Sequence, residues 1–433
     1  MAYLLVVIAP LLVAALNPAN RCDFWRDFSL ALGFVALSMF ALQFALVSRS
    51  RIVSEPIGVD CAVSVHRYMA YAAAAFALAH PIILFAMDDK YWPLLNILTS
   101  PLRAKFAVAS VVALLALMVM SIFRRKLGMS YPLWKIWHWA LALIVISAGL
   151  AHAVLVNHYF SDSSVQGLWI LLTAGFVLLL FWMRVLKPFM NHWQRWKVVK
   201  IEEGVGNTTT LHLEPVNPDA YGKRGFRFKA GQFAWIAARK SPFSLTYNPF
   251  SISTSAEDAT NIGFTIKAHQ GFSAEVADLK VGEIVYIDGP HGQFHLDNHE
   301  HAPLVLIGAG VGVTPLVSML ETLASRHSRR ECYLWLSSRD EHNIICNNQI
   351  QRLRNNLNLR VQHILSRPQN PKLQRRYDAL FIKQHLHMGL SQTFMQASYF
   401  ICGPSSLMDT TEHTLLQLGV PRQNIHVERF NMV

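Results

Sequence analysis

The sequence has little of what marks a disulfide-built, metal-clustered or nucleic-acid-binding protein. Its 433 residues hold five cysteines, Cys22, Cys61, Cys332, Cys346 and Cys402, with no CxxC pair and no repeated spacing. That argues against a disulfide framework, a cysteine zinc site and an iron–sulfur cluster within this chain. No acidic twelve-residue calcium loop occurs, so no calcium control is expected. Charge is scarce at 15% of residues, and 52% are apolar, too oily for a purely soluble chain of this length. The net charge of +12 resembles a nucleic-acid signal until it is divided. Residues 1–189 carry 14 Lys/Arg against 7 Asp/Glu, and residues 190–433 carry 25 against 20. No basic stripe interleaved with aromatics appears. A membrane orientation signal explains the excess better, and no nucleic-acid partner is expected.

What the sequence does have is long apolar runs, nearly all before residue 190. Six can be marked, at 2–16, 28–47, 64–87, 104–123, 133–156 and 167–186. Most reach the ~20 residues that a bilayer span requires. The expectation is a six-helix transmembrane bundle in residues 1–189. The first run is short and lacks a basic leader, so a signal peptide is the competing reading. Arg49, Arg51, Arg124, Arg125, Lys126, Arg184 and Lys187 fall on one side of such a bundle. Arg21, Arg26, Lys90, Arg103 and Lys105 fall on the other, diluted by Asp23, Asp27, Asp88, Asp89 and Asp162. The bias puts the first side, and the C-terminal half with it, in the cytosol.

Two of these runs carry paired histidines. His66 and His80 are fourteen residues apart, and so are His138 and His152. Fourteen residues of α-helix fall about 40° short of four turns and rise about 21 Å. Each pair therefore shares a helix face and spans most of the hydrocarbon thickness. Both spans run outward from the cytosol, so His66 is level with His138 and His80 with His152. Neutral imidazole is a good iron ligand, and two opposed pairs at two depths suit two six-coordinate haems. The plainer alternative is a histidine that bonds a neighbouring helix. An ionisable side chain inside lipid is costly enough to hint at function by itself. Arg67 beside His66 suits either a haem propionate or an interfacial position.

Residues 190–299 read as short strands with turns, WKVVKIEEG, TTTLHLEPV, QFAWIAAR, NIGFTIKAH and EIVYIDGP, and suggest a small antiparallel β-barrel. Within it, Phe250, Ser251 and Ser253 in NPFSIS suit a flavin ring and its polar edge, or are ordinary strand residues. Gly271 and Ser273 open a helix whose free N–H groups suit a pyrophosphate, or are simply its cap. Asp288 to Phe294 form a tight turn that closes the barrel. Residues 300–433 alternate strands and helices, the pattern of an α/β domain on a parallel sheet. Its first strand ends in Gly308, Gly310 and Gly312, followed by Thr314 and Pro315, a glycine-rich turn into a helix that suits a dinucleotide pyrophosphate. Arg339, with Ser337, follows the second strand and favours the 2′-phosphate of NADPH, although Asp340 keeps NADH open. Cys402 and Gly403 end a late strand, where ligands sit in open α/β sheets. Phe430, near the terminus, is placed to cover a flavin ring or simply to pack.

With these residues in view, the whole chain resembles the NADPH oxidase and ferric reductase superfamily in its short bacterial form. The resemblance rests on HRYMAYAAAAFALAHP, HWALALIVISAGLAH, NPFSIS, the GlyPheSer helix start, GAGVGVTP, CGP and the terminal ERF. It implies an NAD(P)H oxidoreductase of the bacterial inner membrane that binds FAD, NADPH and two b-type haems. His66 and His138 would ligate the inner haem, and His80 and His152 the outer one. Phe250 and Ser251 would meet the isoalloxazine and Ser273 the FAD phosphates. Gly310 and Thr314 would line the NADPH site, Arg339 would meet the 2′-phosphate, Cys402 would lie near the nicotinamide, and Phe430 would stack on the flavin. The implied acceptor is oxygen. A ferric chelate or a periplasmic acceptor protein are the alternatives, because Leu84 stands where the oxidases carry a further His. Asn248 stands where they have His and many reductases Arg.

Overall fold

The computed structural model of the chain describes residues 2–16, 23–50, 53, 56–158, 160–238, 241–243, 247–268, 273, 275, 278–296, 302–370, 374 and 377–429. It divides into two units, Met1–Leu186 and Lys187–Val433.

The first unit is helical. Its helices are α1 Ala2–Ala15, α2 Phe24–Leu46, α3 Val59–Met87, α4 Leu102–Ile122, α5 Tyr131–Val156 and α6 Ser163–Phe181. Their starts follow local chemistry. The Asp23 carboxylate accepts from Arg26 N at 3.1 Å, and Asp162 accepts from Ser164 N and Val165 N at 2.9 and 3.1 Å. Each thus satisfies amides that a helix start leaves without partners. Five helices, α2 to α6, are long and apolar enough to cross a membrane. Helix α1 has 14 residues, a rise of about 21 Å against roughly 30 Å of hydrocarbon. The expected six spans are therefore five long helices and one shorter apolar helix. Large apolar side chains such as Ile170, Leu171, Val177 and Leu178 face outward, as lipid-facing residues do. Helix α2 packs mainly on α3, and α4 mainly on α5. Phe34 and Phe44 of α2 meet Trp169 and Phe176 of α6 in the largest buried cluster of this unit. Past Phe181 the helix widens to a π turn, Trp182–Leu186.

The second unit begins with the short helix α7 Lys187–Trp193 and holds two sheets. The first comprises β1 Trp196–Gly204, β2 Thr208–Pro215, β3 Phe233–Ala238, β4 Asn248–Ser251, β5 Ile262–Lys267 and β6 Ile284–His291. Every pairing is antiparallel, in the order β4-β3-β6-β1-β2-β5. The barrel expected here is thus a six-stranded antiparallel sheet. Its outer strands approach at one bridge, Ile252 to Phe264, where Ser253 N donates to Gly263 O at 2.8 Å. The alternate residues Val198, Leu211, Leu213, Ile236, Phe264 and Ile266 fill its inner face.

The second sheet comprises β7 Leu304–Ala309, β8 Cys332–Ser338, β9 Leu359–Leu365, β10 Ser398–Cys402 and β11 Ile425–Glu428, all parallel, in the order β11-β10-β7-β8-β9. Leu304, Val305, Leu306 and Ile307 of the central strand are fully buried, as befits a strand covered on both faces. Each such side chain stabilises the fold by roughly 1.5–3 kcal/mol. Helix α8 Val313–Ser325 ties the two sheets together. Ser318 Oγ donates to Thr254 O at 2.7 Å, and Ala256 N donates to Thr322 Oγ1 at 2.9 Å.

Candidate functional site

The membrane unit brings its four histidines together as two pairs. The ring centres of His66 and His138 lie 6.4 Å apart, and those of His80 and His152 are also 6.4 Å apart. The rings are tilted at 54° and 57°. Helices α3 and α5, which carry them, each lean on a different partner, so the imidazoles face one another across the space between two helix pairs.

The distance is informative. A metal–imidazole bond is about 2.0–2.1 Å long, and a ring nitrogen lies about 1.1 Å from the ring centre. Two such rings on opposite sides of one metal have centres about 6.3 Å apart, close to both observed values. The Nδ1 atoms agree, because all four are engaged elsewhere. His80 Nδ1 lies 2.9 Å from Ser29 O and 2.8 Å from Ser29 Oγ. His152 Nδ1 meets Arg103 O at 2.8 Å, and His138 Nδ1 meets Ser121 Oγ at 3.1 Å. The Gln43 side-chain amide lies 2.7 Å from His66 Nδ1. Metal-bound histidines are held in this way, by an outer hydrogen bond that fixes tautomer and ring direction. Among the described residues no three or more His, Cys, Asp or Glu side chains gather as a metal site. An iron held here would take two ligands from the described residues and the rest from a macrocycle. The Trp134 ring centre lies 4.9 Å from that of His138, tilted at 44°, and its buried indole Nε1 has no partner among the described residues, a donor that suits a carboxylate in that space.

The outer hydrogen-bond partners were not read from the sequence, yet a signal existed. Ser29 and Gln43 are buried polar residues in an apolar helix, fourteen apart like the histidines they meet.

In the second unit the chain runs from β7 to β8 and β9 on one side, then returns to β10 and β11 on the other. The direction of winding reverses between β7 and β10, and ligands bind at such points beyond the strand ends. The expected glycine turn lies there. Gly310 has a φ of 56° with open space where a side chain would be. A Cβ on Gly312 would stand 2.3 Å from Cys402 O, so only glycine lets this turn cross the end of β10. Gly308 is paired with Cys402 across β7 and β10, and Gly403 lies against Ala309. Thr314 is buried and its hydroxyl donates to Val311 O at 2.8 Å, which shapes the turn; Pro315 is buried in the first turn of α8. Arg339 is exposed just past β8, beside half-buried Ser337. Cys402 is fully buried, and burial, with Glu428 adding to it, pushes its thiol well above its ordinary pKa. It is therefore no thiolate nucleophile.

On the antiparallel sheet, Ser251 of β4, Phe233 of β3 and His291 of β6 form one row. Phe250 is half-buried beside it. Among the described residues the buried His291 Nδ1 has no hydrogen-bond partner, an unmet polar site in that row. Ser253 is buried, and its Oγ accepts from Thr265 Oγ1 at 3.2 Å. Ser273 is helical and half-buried. Gly271 and Phe430 lie outside the described residues. Asp288, expected to begin a turn, lies on strand β6 instead and holds a cluster that sequence reading missed. Lys187 Nζ lies 2.9 Å from Asp288 Oδ2, and His291 Nε2 lies 3.3 Å from Asp288 Oδ1.

Comparison with known proteins gives matches to both units. Residues 32–149 match the family of ferric reductase like transmembrane components, and residues 306–413 match the oxidoreductase NAD-binding domain. The reductase component of propane 2-monooxygenase from Rhodococcus jostii is 24% identical over 244 residues, 54% of this chain and 63% of that protein. A flavohemoprotein from Xylella fastidiosa is 27% identical over 260 residues, 55% of this chain and 59% of its own. The chain thus spans less than two thirds of the length of these relatives. The solved flavohemoglobin of Malassezia yamatoensis is 21% identical with a TM-score of 0.48, covering 93% of this chain and 99% of that one. A ferric-reductase-like membrane component and five long apolar helices make this a membrane protein, and the NAD-binding domain makes a nicotinamide nucleotide its partner.

Proposed function

We propose that this chain, whose two matched domains make it a member of the NADPH oxidase and ferric reductase superfamily, carries electrons from NADPH across a membrane to an acceptor on the far side. In this reading residues 1–189 form a di-haem membrane domain, 190–299 an FAD-binding β-barrel and 300–433 an NADPH-binding domain. The membrane is the bacterial inner membrane, and the two nucleotide-binding domains are cytosolic. Bound FAD would supply the conversion of a hydride's electron pair into single electrons, and two b-type haems their passage through the bilayer.

The chain's own residues bind and orient. His66 with His138, and His80 with His152, would present Nε2 from opposite sides, since every Nδ1 is engaged. Phe250 and Ser251 would hold the isoalloxazine, and Gly271 and Ser273 the phosphates. The turn Gly308 to Pro315 would admit the NADPH pyrophosphate against backbone amides, with Arg339 at the 2′-phosphate. Cys402 and Gly403 would floor the nicotinamide site, and Phe430 would cover the flavin ring. No side chain need act as an acid or base in the transmembrane step.

The observation that carries this reading is the pair of 6.4 Å imidazole separations. Oxygen is the proposed acceptor, which makes superoxide or peroxide the product. Leu84, one turn beyond His80, puts no titratable group where the oxidases have one, and so favours a ferric chelate as the second reading. A periplasmic acceptor protein is the third. The test adds NADPH to purified protein with FAD and follows haem reduction, oxygen uptake with and without superoxide dismutase, and ferric-chelate reduction. Dismutase-sensitive oxygen uptake without iron is the expected result. Haem that stays reduced in air until a ferric chelate or a protein is supplied rules out oxygen. A preparation without a reducible b-type spectrum rules out the whole scheme.

A further inference from the structure

The four imidazoles are not held alike. Two of them reach a main-chain carbonyl of a neighbouring helix, His80 at Ser29 and His152 at Arg103. Main-chain acceptors cannot be removed by substitution. Helix carbonyls are usually engaged within the helix, and one of these two is reached for a visible reason. Ser29 stands one turn before Gly33, whose bare backbone faces the His80 ring; a Cβ there would lie 3.5 Å from His80 Cγ. His66 Nδ1 instead lies 2.7 Å from the side-chain amide of Gln43. His138 differs. Among the described residues its Nδ1 has one partner, the hydroxyl of Ser121 on α4, and Ser121 Oγ has no other.

We infer that Ser121 is a positioning residue that tunes the His66–His138 site and leaves the His80–His152 site untouched. The inference rests on the proposed haem ligation. A histidine that binds iron through Nε2 carries its proton on Nδ1, so Ser121 Oγ must accept that proton's hydrogen bond. An accepted Nδ1–H makes the imidazole a more basic ligand and fixes its rotation. A more basic ligand favours ferric over ferrous iron. Removing the acceptor should therefore raise the potential of one haem, and the change in ring direction should appear in the low-spin ferric EPR signal of that haem alone.

The experiment compares Ser121→Ala, Ser121→Thr and Ser29→Ala with the parent in the full-length, haem-loaded protein. Potentiometric titration and ferric EPR follow the two haems separately, and haem content is measured alongside. In Ser121→Ala one midpoint is expected to rise and one set of g-values to move, with the other haem unchanged. Ser121→Thr restores both, because it keeps an acceptor at the same place. Ser29→Ala shifts its own haem less, because the Ser29 carbonyl still receives His80 Nδ1. Loss of one haem in Ser121→Ala with retention in Ser121→Thr supports the inference equally. If the Ala variant does not accumulate, Ser121→Cys, a weaker acceptor of similar size, takes its place with a smaller shift expected. The inference is overturned if the Ala or Cys variant titrates like the parent, if the Thr variant shifts as the Ala variant does, or if both haems move together. A parent protein that binds no haem would instead refute the proposed electron route, and that outcome is seen before any variant is made.

Discussion

In the proposed reading, the two units hold their cofactors in opposite ways. The membrane unit works with side chains. Its helices satisfy their own backbone, as lipid demands, so what remains for chemistry is a sparse set of polar groups whose direction follows helix geometry. His66, His80, His138 and His152 meet in pairs because of their spacing, and Ser29, Gln43 and Ser121 orient them. The nucleotide-binding sheet works with the absence of side chains. Gly310 takes a left-handed backbone, and Gly312 passes within 2.3 Å, measured from its would-be Cβ, of the Cys402 carbonyl. In one unit a site is lost by removing atoms; in the other it is lost by adding them.

Substitutions that separate the two units test this contrast. The largest effect is expected from His80→Leu, which should lower haem content from two per chain to about one while leaving NADPH-driven flavin reduction intact. Full haem content in that variant would break the ligand assignment. Next comes the reverse experiment, Gly312→Val. Forcing a branched side chain against Cys402 should slow flavin reduction by NADPH about a hundredfold, roughly 2.7 kcal/mol, while dithionite still reduces the haems fully. A normal rate of flavin reduction in stopped flow would show that the turn yields where the contrast says it cannot.

A third substitution probes a side-chain device inside the soluble unit. Lys187→Met leaves the buried Asp288 carboxylate with His291 but without its lysine, and should destabilise that unit by about 2–3 kcal/mol. Thermal unfolding followed by flavin release would register it, with haem absorbance as an internal control. The smallest effect is expected at exposed Arg339. Its replacement by Ala should lower the preference for NADPH over NADH in kcat/KM by about tenfold, near 1.4 kcal/mol. An unchanged ratio would move the 2′-phosphate contact to another residue.

The same contrast explains what could be read in advance. Helical periodicity is strong in long apolar runs, so the membrane helices and the level pairing of His66 with His138 and His80 with His152 were legible. The strands β1, β5, β7 and β8 were legible from alternation or from compact apolar runs bounded by turns. What escaped had no local signature. The strand β11 has only four residues, Ile425–Glu428, and exists because β10 offers it an edge. The Lys187–Asp288–His291 cluster joins residues a hundred positions apart. Ser29 and Gln43 were legible in principle, since a polar residue in an apolar helix asks for a partner, but only the structure names it.

That last pair has a mechanical meaning. Helices α2 and α3 run antiparallel, with Ser29 set against His80 and Gln43 against His66. Two pins fourteen residues apart join the same two rods. Sliding α3 by one turn, or rolling it by one residue, would pull out both pins at once. A single insertion between His66 and His80 would turn one imidazole by about 100° relative to the other. The helix pair therefore behaves as a ruler whose two marks cannot be moved independently, and the length of this segment should tolerate change far less than its composition does.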